Sequence, residues 1–327
     1  MRFGVRLFWE SENRLVSATG HQRIKKRVVR DNVWLAHDAR PSEGILAGLQ
    51  PRKLDYEVLP SEEDVGRAMF EEIEAAANSR SGSLVVIILG GRGAQALHKL
   101  LGDFAKTNKK DSLLRRLHIF TQDALAPLLM NNALSFVRDF ERLLGEAFFK
   151  KVLSFNTIKT DADDLESELT RYVDRLESLG GIDLFFLGLG PEAGGASHLA
   201  YIKPGSGAGV NDVAGMIGIS PTILEHHITK FKAGGTKISS EDEVECRAAK
   251  HILTLGPAAI IGARRVVQSI VDASTAPAKR ESYRRLLESE IASDPAVRER
   301  QLDENPGLWL RLHNNVRSLI LADVLEI

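Results

Sequence analysis

Two kinds of apolar pattern alternate along the chain. The first is the short unbroken run, clearest at residues 84–89, where six aliphatic side chains follow one another. A strand of that composition has both faces covered, because a half-exposed strand alternates apolar with polar positions. Residues 183–187 and 266–271 read the same way, and stretches at 2–9, 56–59, 117–120, 252–255 and 318–325 read as further strands. The second pattern has the helical period. Val65, Met69 and Ile73 share one face, and Phe136, Phe140, Leu143, Leu144 and Ala147 share another over 136–149. Leu165, Leu169, Tyr172, Leu176 and Leu179 form a stripe over 163–179, which Gly180 ends because glycine enters the left-handed region without a β-carbon clash. Ser61, three residues ahead of Asp64, predicts a capped start for the helix that carries Val65. Further helices are expected over 94–101, from Pro257 onward and over 281–290.

Strands separated by helices in this order predict an α/β fold. The expected form is a Rossmann-like three-layer sandwich with a mainly parallel central sheet and its ligand site beyond the strand C-termini. The runs 84–89, 183–187 and 266–271 are expected to share that sheet, with helices on both faces. The first fifty residues differ in texture, with a basic stretch (Arg23, Lys25, Lys26, Arg27, Arg30) and a Gly/Pro-containing connection over 41–51. They are assigned as an accessory segment, 1–50, beside a main domain, 51–327.

Composition narrows the classes of function. Lys and Arg number 43 against 44 Asp and Glu, so the formal charge is −1 and no whole-protein attraction to nucleic acid or an acidic membrane is expected. The basic stretch lacks a recognition motif or an aromatic stacking array and reads as a solvated face or a packed appendage. A single cysteine, Cys246, rules out an intrachain disulfide, and no apolar run approaches the roughly 20 residues of a membrane helix. With no secretory pattern at the N-terminus, the expected location is cytoplasmic.

The chemistry concentrates after the predicted strands. Gly90-Gly91-Arg92-Gly93 follows the 84–89 run and precedes a helix, where backbone amides and a guanidinium suit a phosphate, although the segment also fits a turn with an exposed arginine. It matches neither the dinucleotide fingerprint nor the nucleotide phosphate loop, so no NAD or ATP is implied. Asp123 follows the 117–120 strand and by itself reads as a solvated loop acid. In the segment 188–198, Glu192 and His198 place two proton-transfer groups after a buried strand. His226 and His227 are adjacent, without the spacing of a zinc pair, and read as surface or packing groups. No metal site is expected.

Over about 54–287 the chain resembles the glucosamine-6-phosphate deaminase and 6-phosphogluconolactonase family. The glycine loop at 90–94 matches the family's phosphate loop, with Arg92 in place of the usual hydroxyl residue. His118-Ile119-Phe120-Thr121-Gln122-Asp123 matches its acid motif, followed here by Ala124 and Leu125. The 188–192 segment and His198 match the Gly-rich and Asp-Gly-His motif, spread by four extra residues, and Lys203 stands where deaminases carry a glutamate. Thr254-Leu255-Gly256-Pro257 resembles the family's late strand-to-helix turn. The resemblance implies catalytic roles for His198, Glu192 and Asp123. It implies substrate contacts at Gly90, Gly91, Arg92, Gly93, Lys203 and Lys279, where Lys279 falls near the family's phosphate-binding lysine. The implied ligand is a phosphorylated sugar, with no cofactor, no nucleic acid or membrane partner, and room for a homo-oligomer. The implied activity is aminosugar-phosphate deamination with isomerisation. Lactone hydrolysis and non-catalytic sugar-phosphate sensing stand as alternatives, because Lys203 cannot act as a carboxylate.

Overall fold

The computed structural model describes residues 24–38, 41–107, 111–326, so the strand expected at 2–9 and Arg23 lie outside the described residues. Its strands are β1 (Ile24–Val29), β2 (Asn32–His37), β3 (Tyr56–Leu59), β4 (Leu84–Ile88), β5 (Leu117–Thr121), β6 (Asp123–Ala126), β7 (Ser154–Asn156), β8 (Leu184–Pro191), β9 (Ser197–Leu199), β10 (Asp212–Gly218), β11 (His251–Leu255), β12 (Arg265–Ile270) and β13 (Val316–Leu321). Its helices are α1 (Ser42–Gly48), α2 (Glu62–Ser79), α3 (Gln95–Lys106), α4 (Asp111–Leu114), α5 (Phe136–Lys151), α6 (Leu165–Glu177), α7 (Pro221–Ala233), α8 (Ser240–Arg247), α9 (Pro257–Gly262), α10 (Ala278–Glu288) and α11 (Pro295–Glu304).

Seven strands form the central sheet in the order β3-β13-β12-β8-β4-β5-β7, every neighbouring pair parallel, with β9 added antiparallel to β8. The three apolar runs β4, β8 and β12 occupy this one sheet, as their composition predicts. Alternate side chains feed opposite cores. Val85, Ile87, Phe185 and Leu187 pack with Leu169, Tyr172 and Leu176 of α6, whereas Val86, Ile88, Leu184 and Phe186 pack with Val65, Met69 and Ile73 of α2 and Leu97 of α3. That two-sided burial is why these strands show no polar alternation. Ser61 caps α2 as expected, its hydroxyl accepting from the Asp64 amide at 3.1 Å.

A second sheet, antiparallel throughout, runs β1-β2-β10-β11-β6. The sequence reading has no counterpart for it and gives 252–255 only as a further strand. In the structure β11 pairs with β10 and β6. The β1–β2 hairpin joins through β2, and Trp34 is fully buried, its indole N–H donating to the Ser206 carbonyl at 3.2 Å. The described cations of the basic stretch are all paired: Lys25 with Asp38, Lys26 with Glu166, Arg27 with Asp212 and Arg30 with Asp303. Among the described residues, no helix is long and apolar enough to cross a membrane.

The order of the parallel strands places the site. After β4 the chain moves outward through β5 and β7, then returns to β8 on the other side of β4 and proceeds outward through β12 and β13. The crevice beyond the ends of β4 and β8 is therefore the topological switch point, where open α/β sheets bind ligands.

Candidate active site

A cleft of about 610 Å³, partly open to solvent, lies at that switch point. Gly90 to Gly93 form one wall directly after β4, and Gly188 to Gly190 at the end of β8 form the next. Asp123, His198 and Lys279 also line it, so the structure brings the expected loop, acid, histidine and lysine into one place.

His198 is set by strand pairing. β9 runs back along β8 with His198 opposite Gly190 and Ser197 opposite Pro191, and the extra residues between the strands form a short turn at Ala193–Gly195, closed by the Glu192 amide donating to the Ala196 carbonyl at 2.8 Å. This reversal carries Glu192 back to the histidine, and its Oε1 lies 3.0 Å from His198 Nδ1. A carboxylate only accepts, so in the neutral ring Nδ1 carries the proton and Nε2 is the basic nitrogen. Burial lowers the His198 pKa; Glu192 pulls the other way, and Lys279 adds to the lowering, leaving the ring neutral near physiological pH. Position 190 has to be glycine here, because a β-carbon would stand 1.7 Å from His198 Nε2.

Asp123 departs from the solvated loop acid that its sequence context suggests. It begins β6, pairs with Thr254 of β11 and is only 4% exposed. Gln122 Nε2 donates to its Oδ2. Burial raises the carboxyl pKa to about 7 despite that bond, so the group can hold or release a proton near neutrality.

Of the expected contacts, Lys203 is placed away from the cleft, and Arg92 and Lys279 line it already paired with acids. Lys203 does not line the cleft; it is half-buried beside Glu192, and burial lowers its pKa while that charge raises it. Arg92 lines the cleft but is tied to Glu62, Nη2 to Oε1 at 2.6 Å. Lys279 lines the cleft, is 7% exposed and donates to Asp272 at 2.6 Å.

The sequence reading misses Lys230, Asp272 and His226, all of which line the cleft. Lys230 comes from α7 and binds the second oxygen of Asp272 at 2.5 Å, bringing a second ammonium group to the cleft. Its signal was available: Ser220 caps α7, Pro221 opens it, and Ile223, His227, Ile228 and Phe231 form its buried face. His226 and His227 belong to that helix and are not surface groups. His227 donates from Nε2 to the Leu134 carbonyl at 2.8 Å and accepts from Tyr201 at 3.2 Å, forming an aromatic wall with Phe136 and Phe231. His226 is held neutral by burial and then by Lys279, with its pKa lowered to about 2. Among the described residues, no three His, Cys, Asp or Glu side chains converge as a metal site.

No family model matches the chain. Among curated proteins, glucosamine-6-phosphate deaminase 1 of Bacillus subtilis is 29% identical over 164 residues, 49% of this chain and 53% of that protein. The glucosamine-6-phosphate deaminase of Bacteroides thetaiotaomicron is 43% identical over 51 residues, 16% of this chain and 17% of its own length. Part of this chain is therefore similar in sequence to glucosamine-6-phosphate deaminases. The chain spans about half the length of the first of these relatives and about a sixth of the second. Solved structures carry the likeness of fold much further along the chain. A monomeric glucosamine-6-phosphate deaminase superposes with a TM-score of 0.62 at 19% identity, covering 84% of this chain and 100% of that one. The 6-phosphogluconolactonase of Thermotoga maritima gives 0.56 at 15%, covering 82% and 99%. That of Trypanosoma brucei gives 0.55 at 18%, covering 84% and 98%. Solved structures of both kinds of enzyme thus share this architecture.

Proposed function

We propose that the protein is an enzyme acting on a phosphorylated aminosugar, converting it with water to a ketose phosphate and ammonia. The observation that carries this reading is Asp123, a buried cleft carboxyl whose pKa of about 7 suits a proton carrier, lining the same cleft as His198, which Glu192 contacts at Nδ1. Isomerisation needs one group that takes a proton from one carbon and returns it to its neighbour, and another that moves the proton of the ring oxygen as the sugar opens. Asp123 is assigned the first task and His198, oriented by Glu192, the second. The glycine loop, Arg92, Lys230 and Lys279 are assigned to the phosphate.

A second reading, hydrolysis of a phosphorylated sugar lactone, is favoured by one observation. Lys203 stands beside Glu192 in place of a second carboxylate, which leaves His198 with a single acidic partner. Hydrolysis requires only an activated water and donors for the oxyanion. Purified protein is to be assayed with glucosamine 6-phosphate for ammonia and with 6-phosphogluconolactone for acid production, alongside Asp123→Asn, His198→Ala and Glu192→Gln. Ammonia release reduced by about 10²-fold or more in the Asp123 and His198 variants supports the deaminase. Acid production alone selects the lactonase. Saturable binding without turnover of either compound would leave the protein a sugar-phosphate sensor, and activity undiminished in all three variants would remove the assigned centre.

A further inference from the structure

Beside the glycine loop, the cleft holds an arrangement of charges that the proton-transfer chemistry does not use. Asp272, two residues beyond β12, is 3% exposed and accepts from two ammonium groups at once: Lys279 at Oδ1, 2.6 Å, and Lys230 at Oδ2, 2.5 Å. Both lysines are themselves buried. Arg92 lines the same cleft and is paired with Glu62 at 2.6 Å. Of the other titratable groups lining the cleft, His226 and His198 are held neutral, chiefly by burial, and burial raises Asp123 to about 7, so that it is protonated below neutrality. With Asp123 protonated, three cations therefore stand against two anions, and the surplus is one positive charge; ionisation of Asp123 removes even that. A phosphate dianion brought to the lysines would meet a buried carboxylate already seated between them and would leave the pocket with a net negative charge. A singly charged head would leave it neutral.

We propose that Asp272 is a built-in counter-ion that makes this cleft select sugars whose anionic head carries one charge, so that a phosphorylated sugar binds as its monoanion. The inference rests on the sugar-phosphate reading above. Burial pushes the Asp272 carboxyl up, but Lys279 and Lys230 outweigh burial and hold it below the ordinary carboxylate range. Asp272 therefore stays charged across the neutral range, and the proton that relieves the conflict sits on the ligand. A phosphate monoester loses its second proton near pH 6. Its affinity for the cleft should fall on going to neutral pH, while that of a sulfate monoester, which keeps a single charge, supplies the reference.

The test is calorimetric titration of the full chain with glucose 6-phosphate and with glucose 6-sulfate at about pH 5.5 and about pH 7.5, on either side of the phosphate pKa. Asp123 ionises in the same range, so the ratio of the two affinities is the quantity to follow, since two ligands bound as monoanions feel that charge alike. The expected result for the wild type is a phosphate-to-sulfate ratio that falls roughly 20-fold between the two conditions, the change in monoanion fraction for a pKa near 6. Asp272→Asn should bind the phosphate at least about tenfold more tightly at the higher pH and flatten the ratio. The wild-type arm stands whether or not that variant folds. A ratio that does not change with pH overturns the counter-ion role while leaving the sugar-phosphate reading intact, and so does weaker phosphate binding by folded Asp272→Asn. Saturable binding of neither ligand overturns both.

Discussion

Replacing Asp123 with asparagine should make the protein more stable, and increasingly so as the pH rises. The carboxyl is buried and its pKa is raised from 3.8 to about 7, with burial as the main cause and the Gln122 hydrogen bond as a partial offset. A raised folded-state pKa means the fold favours the protonated form. The associated stability is fully present below the unfolded pKa near 4 and is lost as the pH climbs through about 7. A tenfold change in acidity corresponds to about 1.36 kcal/mol, so a roughly thousandfold weaker acid amounts to a loss on the order of 4 kcal/mol. Asp123→Asn keeps the shape and an oxygen to accept from Gln122 but does not titrate. Urea unfolding of both proteins across about pH 4 to 8 gives the difference in unfolding free energy, in which every other titrating group cancels to first order. The two should be nearly equally stable at the acid end, with the variant ahead by several kcal/mol at the alkaline end. A difference flat to within about 1 kcal/mol, less than a tenfold change in acidity would produce, would refute the assignment of Asp123 as a buried acid titrating near neutrality.

Three further outcomes follow from particular contacts. Gly190→Ala puts a β-carbon against His198 Nε2, so the ring must move; overpacking should cost about 1–3 kcal/mol in thermal or urea unfolding, and kcat on the active substrate should fall about 100-fold with KM little changed. Trp34→Ala opens a cavity under the second sheet and should cost about 3–5 kcal/mol by urea unfolding, whereas a cost below about 1 kcal/mol would mean that the β1–β2 hairpin contributes little to the fold. Lys230→Met removes one of the two ammonium groups on Asp272, and titration with glucose 6-phosphate should show affinity reduced at least about tenfold, with unphosphorylated glucose unaffected.

The parts of the fold that were legible are those whose burial is two-sided or strictly periodic. β4, β8 and β12 show as apolar runs because helices cover both faces, and α2 and α6 show as stripes with a capping serine and a terminating glycine. The antiparallel sheet was hidden by its composition. β10 reads Asp-Val-Ala-Gly-Met-Ile-Gly, where Gly215 leaves room for Trp34, and β6 is four residues long, so neither gives a run or an alternation long enough to register. The candidate site divides in the same way. Residues attached to predicted strand ends, such as Gly90 to Gly93 and His198, were found from order along the chain. Lys230 and Asp272 show their meaning only when α7 and the end of β12 meet in space.

Gln122 links the two sheets. Its amide takes the carbonyl of Ile88 in the parallel sheet, at 2.9 Å, and its carbonyl receives the amide of Leu255 in the antiparallel one, at 3.1 Å, within one residue of the acid. The step from β5 to β6 thus works as a rivet, with Asp123 as its head. Adding or deleting one residue there would turn the acid to the opposite face of β6. Insertions should therefore be tolerated in the outer hairpin and barred at this seam. A chain with an altered length between Thr121 and Asp123 would keep its architecture and lose its proton carrier.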